Sequence, residues 1–227
     1  MITILQIETA TQVCSAAISQ DGKTIALKEE MASNIHAGSL TLFIKSVMDS
    51  AGLKYEELDA VAVSKGPGSY TGLRIGVSTA KGLCFALDKP LIAIDTLQMM
   101  AEGFATQQLE NKGLICSMID ARRMEVFTTV FDHQLKHISP IEAKIIDEQS
   151  FEGLLTDHTI TFIGDGAAKC REVLNHEHAS FSESNFNSAA NMSRLALKAF
   201  QAGNFEDVAY FEPFYLKDFV LTTPKKK

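Results

Sequence analysis

The sequence predicts an α/β protein made of two copies of one unit, and three features lead to this interpretation. The apolar run at residues 58–64 is followed by a glycine-rich turn and then by an apolar helix. A strand that ends in an acid, with a return strand after it, occurs at Glu8 and again at Asp120. A second glycine turn follows the run at 159–163. Alternating strands and helices indicate an α/β fold, and features repeated in the same order indicate duplication.

The first unit is predicted from hydrophobic periodicity and turn residues. Asp21-Gly22 is typical of a tight hairpin turn, and Gly52 is expected to end a helix. The predicted elements are strands over 1–6, 14–19, 23–30 and 58–64 and helices over 39–51 and 73–87.

The second unit repeats parts of the first. Seven residues separate Asp120 from Phe127, as seven separate Glu8 from Ser15, so the two hairpins are expected to align without a gap. The predicted elements are strands over 114–120, 127–131 and 159–163, a glycine turn over 164–168 and a following helical segment over 169–174.

We place the boundary between the units near residues 100–113 and divide the chain into domains of 1–103 and 104–227. The first domain carries the glycine motif and the helices predicted for dimerisation. The final helix and tail of the second are expected to pack back on the first.

The overall charge argues against direct binding of nucleic acid. The formal net charge is −7, so the chain lacks the positive field that such proteins use.

No apolar run reaches the ~18 residues that span a bilayer, and the start lacks the basic lead of a signal peptide, so we expect a cytoplasmic protein. Cys14, Cys84, Cys116 and Cys170 lack C-x-x-C spacing and are expected to be reduced core residues.

The glycine segment of residues 66–76 predicts a demanding backbone path from strand to helix. Gly66 and Gly68 permit backbone angles closed to other residues, and Ser69 or Thr71 is expected to cap the helix. Amide groups at such a helix start can bind an anion. A tight turn without a ligand is the alternative, because neither common phosphate-loop spacing is met.

The acids at the strand ends form a second candidate site. Glu8 and Asp120 resemble the paired acids with which the actin, sugar kinase and Hsp70 superfamily grips phosphates, and such a pair could hold magnesium through water. Alternatively, the two acids cap turns or pair with Arg122 and Arg123. The candidate anion or nucleotide contacts are Glu8, Thr9, Thr11, Gly66, Gly68, Ser69, Asp120, Gly164 and Gly166.

The helix over 73–87 is apolar on all sides and therefore needs cover on all sides. One face can lie on the sheet, and the other needs a neighbouring helix or a partner chain; full burial within this chain is the alternative. Ala80 is taken as an outward position. The candidate partner-interface residues are Leu40, Phe43, Ile44, Val47, Leu73, Gly76, Val77, Ala80, Leu83 and Cys84.

Four segments together resemble the bacterial TsaB family, also called YeaZ: residues 7–11, 66–76, 119–127 and 213–216. The resemblance implies two tandem actin-like ATPase (RNase H-like) domains, each a mixed β-sheet with flanking helices. It also implies a noncatalytic dimerisation and activating subunit of the complex that makes threonylcarbamoyladenosine next to the anticodon of tRNA. The implied partners are a TsaD-type catalytic subunit and a TsaE-type ATPase, with a homodimer when alone and contact with tRNA only indirectly.

Two departures bear on the mechanism. TsaD-like subunits hold a metal with an H-x-x-x-H pair, whereas this chain has His36 followed by Leu40. Family members usually carry Asp where this chain has Glu8. We therefore expect no metal, no catalytic residue and no cofactor, with weak binding of ATP or ADP left open. The alternatives are a nucleotide-dependent transferase or kinase and, less favoured, a peptidase.

Overall fold

A computed structural model describes residues 1–32 and 35–217 of the 227-residue chain. These residues form two five-stranded sheets with flanking helices. The strands are β1 Thr3–Glu8, β2 Val13–Gln20, β3 Lys23–Met31, β4 Ala60–Gly66, β5 Leu91–Asp95, β6 Leu114–Asp120, β7 Glu125–Phe131, β8 Glu142–Ile145, β9 Ile160–Ile163 and β10 Ala179–Phe181. The helices are α1 His36–Ala51, α2 Tyr70–Leu87, α3 Thr96–Gln107, α4 Glu152–Asp157 and α5 Ser193–Gln201. None of the helices described here is long and apolar enough to cross a membrane.

The two sheets have the same topology. Their strand orders are β3-β2-β1-β4-β5 and β8-β7-β6-β9-β10. In each sheet three antiparallel strands are followed by two strands that run parallel to the first of the three. The predicted fold class, two tandem domains with mixed sheets, is confirmed.

The two hairpins do not align without a gap. Glu8 pairs with Ser15, but Asp120 pairs with Val126, one residue earlier than predicted. The second connection is tighter because Arg122 and Arg123 both adopt positive φ angles, of 71° and 48°. Two consecutive left-handed residues reverse the chain in fewer positions, at a cost in backbone strain.

Other element boundaries shift for local reasons. Helix α1 begins three residues earlier than predicted, and α2 begins at Tyr70 because the Ser69 side chain accepts a hydrogen bond from the Gly72 N–H (3.3 Å). Gly52 ends α1 in the left-handed conformation, as predicted. The helix predicted over 169–174 is wrong: only the short 3₁₀ helix Ala168–Cys170 forms there.

The proposed domain boundary after residue 103 falls inside α3, which the sequence analysis did not predict. The break between the sheets lies at residues 108–113, between α3 and β6, within the predicted boundary region of 100–113. The chain later returns to the first sheet, because α5 packs against β1, β3 and β5. Whether the two sheets fold as separate units stays a prediction.

The core consists of three layers. One cluster lies between the first sheet and the helices α1 and α2, a second lies between the two sheets with α3 and α5, and a third covers the outer face of the second sheet. The four cysteines are buried and free, as predicted. The middle layer joins the domains, so their interface is itself a hydrophobic core.

The first layer depends on a close contact between α2 and the β1–β2 loop. Gly68, Gly72 and Gly76 are spaced four residues apart and face Thr9 and Ala10. A Cβ at each of these glycines would overlap a carbonyl oxygen or a hydroxyl of the loop. The loop is also hydrogen-bonded to the helix start, because the Ser69 N–H donates to the Ala10 carbonyl (2.7 Å). These glycines therefore serve close packing.

Replacing Gly72 with alanine tests this contact. We expect Gly72→Ala to lower the free energy of unfolding by about 2 kcal/mol, because its Cβ would displace the Thr9 backbone. The matched control is Gly82→Ala, on the same helix with no atom near its added Cβ, which should gain about 0.5–1 kcal/mol. Urea denaturation followed by circular dichroism measures both. Equal stability of the two variants would refute the packing role.

Candidate functional site

The ten predicted interface residues lie on the inward faces of α1 and α2. Nine of them are buried in the core of the chain itself, and Leu83 is half-buried. The nine are Leu40, Phe43, Ile44, Val47, Leu73, Gly76, Val77, Ala80 and Cys84. Burial leaves little of these nine residues for a partner to contact, and Ala80 does not point outward, because the apolar face of each helix packs on the first sheet. Whether any of the ten residues contacts a partner stays a prediction.

The outward faces of these helices carry a different set of residues. On α2, Arg74, Ser78, Gly82 and Phe85 are exposed and recur every three or four residues; we call these four the outer stripe. Phe85 is 86% exposed, and Leu42 on α1 is 63% exposed. The helical period could have separated these residues from the inward set, but an apolar helix gives little contrast between its faces.

A shallow groove adjoins the outer stripe. It has a volume of about 630 Å³ and lies between the second half of α2 and the chain after α5. Its lining residues are Lys81, Gly82, Phe85, Asp207, Val208 and Ala209. Phe85 therefore has an apolar recess beside it and is not an isolated surface residue.

The acid of the first domain is enclosed. Glu8 is fully buried, and its Oε1 accepts a hydrogen bond from the Ala10 N–H (2.5 Å). Burial raises the pKa of its carboxyl to about 7. Within the described residues, Glu8 Oε2 and the hydroxyls of Thr9 and Ser64 lack hydrogen-bond partners. Thr11 is also buried, and its hydroxyl accepts from the Val13 N–H (3.2 Å).

Glu8 belongs to a polar row that crosses the first sheet. It pairs with Ser15 on β2, and Ser15 pairs with Glu29 on β3. The Ser15 hydroxyl donates to the Glu29 carboxylate (3.3 Å), which also accepts from the Ser188 hydroxyl (2.6 Å). The Ala189 N–H donates to Ser15 (3.0 Å), so this part of the row is held by the segment that returns from the second domain.

The acid of the second domain is neutralised by the chain itself. Asp120 Oδ1 lies 2.6 Å from the Lys169 ammonium and accepts a hydrogen bond from the Arg122 N–H (2.7 Å). Lys169 also donates to the Glu125 carbonyl (2.7 Å). The turn-capping alternative therefore holds for Asp120, although its ion pair is with Lys169, which the sequence analysis did not single out.

The second glycine turn repeats the packing of the first. A Cβ on Gly164 would overlap the Met118 carbonyl, and one on Gly166 would lie 2.9 Å from the Ile119 carbonyl carbon. Between them, Asp165 accepts a hydrogen bond from the Asp120 N–H (3.1 Å). The charge of Asp165 also contributes to the raised pKa of Glu8, so the acid-bearing turns of the two domains are neighbours.

His36, the one histidine present at the position of the H-x-x-x-H metal pair, is buried in the fold. Its side chain is almost completely buried, and its Nε2 lies 3.0 Å from the Val13 carbonyl. Leu40, one turn later, is a core residue. Across residues 1–32 and 35–217 there is no cluster of three or more His, Cys, Asp or Glu side chains suited to a metal ion.

Several curated bacterial proteins are similar in sequence to this chain. The tRNA threonylcarbamoyladenosine biosynthesis protein TsaB of Escherichia coli K12 is 28% identical over 95% of this chain and 94% of its own length. The Bacillus subtilis protein of the same name is 32% identical over 76% of this chain and 75% of its own length. That of Haemophilus influenzae is 36% identical, but the match spans 56% of this chain and about half, 52%, of the relative.

Solved structures with the same fold include YeaZ from Pseudomonas aeruginosa, with a TM-score of 0.78, 25% identity and coverage of 95% of this chain and 100% of that one. The activator of 2-hydroxyisocaproyl-CoA dehydratase from Clostridium difficile has a TM-score of 0.52 at 11% identity, with 89% and 96% coverage. This second likeness concerns the fold alone, which is that of the actin-like ATPases.

A family model described as TsaD, tRNA N6-adenosine threonylcarbamoyltransferase, matches residues 27–220, most of the chain. The curated relatives with long matches carry the TsaB name, and the YeaZ structure shares both domains. Within the broader group that the TsaD model describes, the chain therefore belongs to the TsaB family, also called YeaZ.

Proposed function

We propose that this chain is the noncatalytic dimerisation and activating subunit of the complex that makes threonylcarbamoyladenosine on tRNA. Its relatives are named as biosynthesis proteins of this modification, and a TsaD family model matches it. It acts by binding a TsaD-type catalytic subunit, joined in the complex by a TsaE-type ATPase, and forms a homodimer when alone. The observation that carries this proposal is the exposed apolar ring of Phe85 on the outer stripe.

The outer stripe suits a helix from a partner. Ser78 and Gly82 are small, so a second helix can approach α2 closely, and Phe85 then becomes the anchor. Burying a phenylalanine that is 86% exposed contributes roughly 1.5–3 kcal/mol to association. Leu42 on α1 is a second exposed apolar side chain that a partner could cover.

The region between the acid-bearing turns at Glu8 and Asp120, which we call the cleft, is a poor match for magnesium and nucleotide. The Thr9–Ala10 loop fills the glycine face where an anion would approach, Lys169 neutralises Asp120, and the raised pKa of Glu8 leaves its carboxyl largely protonated below pH 7. A protonated carboxyl is a weak ligand for a hard cation. We therefore propose that the chain works without a cofactor and without a catalytic residue of its own, which argues against both the nucleotide-dependent enzyme and the peptidase.

The acidic charge assigns contact with tRNA to the partners. With a net charge of −7 the chain repels the phosphate backbone, so tRNA is reached only through the complex. We also propose that the chain acts in the cytoplasm.

A charge on the outer stripe tests partner binding. We expect Phe85→Glu to weaken assembly with the TsaD-type subunit at least ~30-fold, because a central aromatic anchor is replaced by a carboxylate. The matched control is Leu109→Glu, equally exposed at 86% but between α3 and β6. Size-exclusion chromatography with light scattering, with each variant alone and mixed with the partner, measures both. Undiminished assembly of Phe85→Glu with the TsaD-type subunit would refute the proposed interface.

Calorimetry tests whether the cleft binds nucleotide. Titration of ATP with magnesium into the isolated chain should give no saturable heat up to about 1 mM nucleotide, because Lys169 neutralises Asp120 and burial favours the protonated form of Glu8. Saturable binding that is lost in Lys169→Ala or Glu8→Gln would place a nucleotide in the cleft and favour the alternative enzyme.

The protonation of Glu8 predicts a pH dependence of stability. Its pKa is about 7 in the folded chain and 4.5 in the unfolded one, so the folded state binds the proton more tightly. The free energy of unfolding should therefore fall between about pH 4.5 and pH 7, by at most about 3 kcal/mol, and stay lower above pH 7. Glu8→Gln should lack this fall. Parallel pH profiles of the two proteins in urea denaturation would contradict the raised pKa.

A further inference from the structure

The chain after α5 runs along the first domain as a strap, residues 205–217, which contains a turn at 208–210. The Glu206 N–H donates to the Leu91 carbonyl at the start of β5 (2.9 Å). The Lys81 ammonium of α2 then donates to the carbonyls of Ala209 (3.2 Å) and Phe211 (2.9 Å). One lysine thus holds two points of the strap to the middle of α2.

The next residues bring the strap to the glycine turn. The Phe214 N–H donates to the Lys65 carbonyl (2.7 Å), and the Phe214 carbonyl occupies the space that a Cβ on Gly66 would need. The ring of Tyr215 then packs on that of Tyr70, in the first turn of α2, with 4.7 Å between centroids. The strap is therefore fixed to both the start and the middle of the same helix.

By residue 217, the last residue that the structure describes, the strap has reached the second domain. Leu216 packs on the cluster between the two sheets, and the Lys217 ammonium forms an ion pair with the Glu125 carboxylate at the start of β7. The backbone carbonyl of Glu125 accepts the hydrogen bond of Lys169, which in turn neutralises Asp120. A continuous set of contacts thus leads from α2 through the strap to the acid of the second domain.

We propose that the strap is a clamp that holds the two domains closed at the cleft and couples the position of α2 to the turn that carries Asp120. The geometry favours a releasable clamp, because Lys217 is 44% and Glu125 22% exposed. An ion pair of this exposure is weak and responds to local change. Displacement of α2, or competition for the Lys81 ammonium, weakens the ion pair between Lys217 and Glu125 and opens the cleft.

The coupling is tested in the isolated full-length chain, so it does not depend on partner binding. The readout is amide hydrogen exchange in the peptides that cover 118–127 and 164–171. Their amides at Asp120, Ala121 and Gly166 are hydrogen-bonded within the second domain, and among the described residues neither Tyr215 nor Lys81 is bonded to them. Exchange there reports on opening at a distance from Tyr215 and Lys81.

Tyr215→Ala and Lys81→Met release the strap from α2. We expect each to raise exchange in the two cleft peptides about three- to tenfold, with β2 and β3 unchanged. The matched controls are Tyr210→Ala, on the same strap but 84% exposed, and Lys45→Met on α1. Neither control should alter exchange in the cleft.

Lys217→Met removes only the surface ion pair with Glu125, so this variant is expected to fold even if the other two do not. It should raise exchange in the cleft peptides about threefold, whereas Lys217→Arg, which keeps the charge, should not. Unchanged exchange in the cleft peptides of all three release variants would overturn the proposal. So would a rise of equal size in β2 and β3, because that pattern is global destabilisation.

Discussion

The packing of the β1–β2 loop against the glycine face of α2 is the constraint on which the rest of this structure depends. Glycines at 68, 72 and 76 let the helix lie against the backbone of Thr9 and Ala10. This contact sets the distance of α2 from the first sheet and turns its larger apolar residues into the core. The rotation of the helix follows from it, and so does the exposure of Phe85 on the opposite side.

The same contact gives the glycine segment of residues 66–76 a packing role, although a glycine turn at a helix start can also bind phosphate. In both domains the glycine turn lies against the end of the neighbouring strand, and in both the strand-end acid accepts a hydrogen bond from the backbone two residues later. An acid used in this way stabilises its own hairpin. The actin-like fold is thus retained in both copies, and in each the strand-end acid makes a hydrogen bond within its own hairpin.

The path of the chain joins the two copies more firmly than a simple tandem arrangement. After the second sheet, the chain returns as α5 to pack on the first, and the strap then crosses to Glu125. Buried contacts between the sheets supply most of the cohesion, because apolar burial outweighs exposed ion pairs. The weak outer contacts are the ones available for adjustment, and they lie beside the helix proposed to bind a partner.

The sequence by itself determined the α/β class, the duplication, the C-terminal end of α1 at Gly52 and the hairpin at Asp21-Gly22, because these follow from local periodicity and turn chemistry. It also carried the family motifs. Only the tertiary structure decided which face of α2 is covered, since a helix apolar on all sides has no contrast that marks inside from outside. The sequence likewise could not predict the ion-pair partner of Asp120. Lys169 lies 49 residues away along the chain, and only the packing of the second glycine turn brings it to the acid.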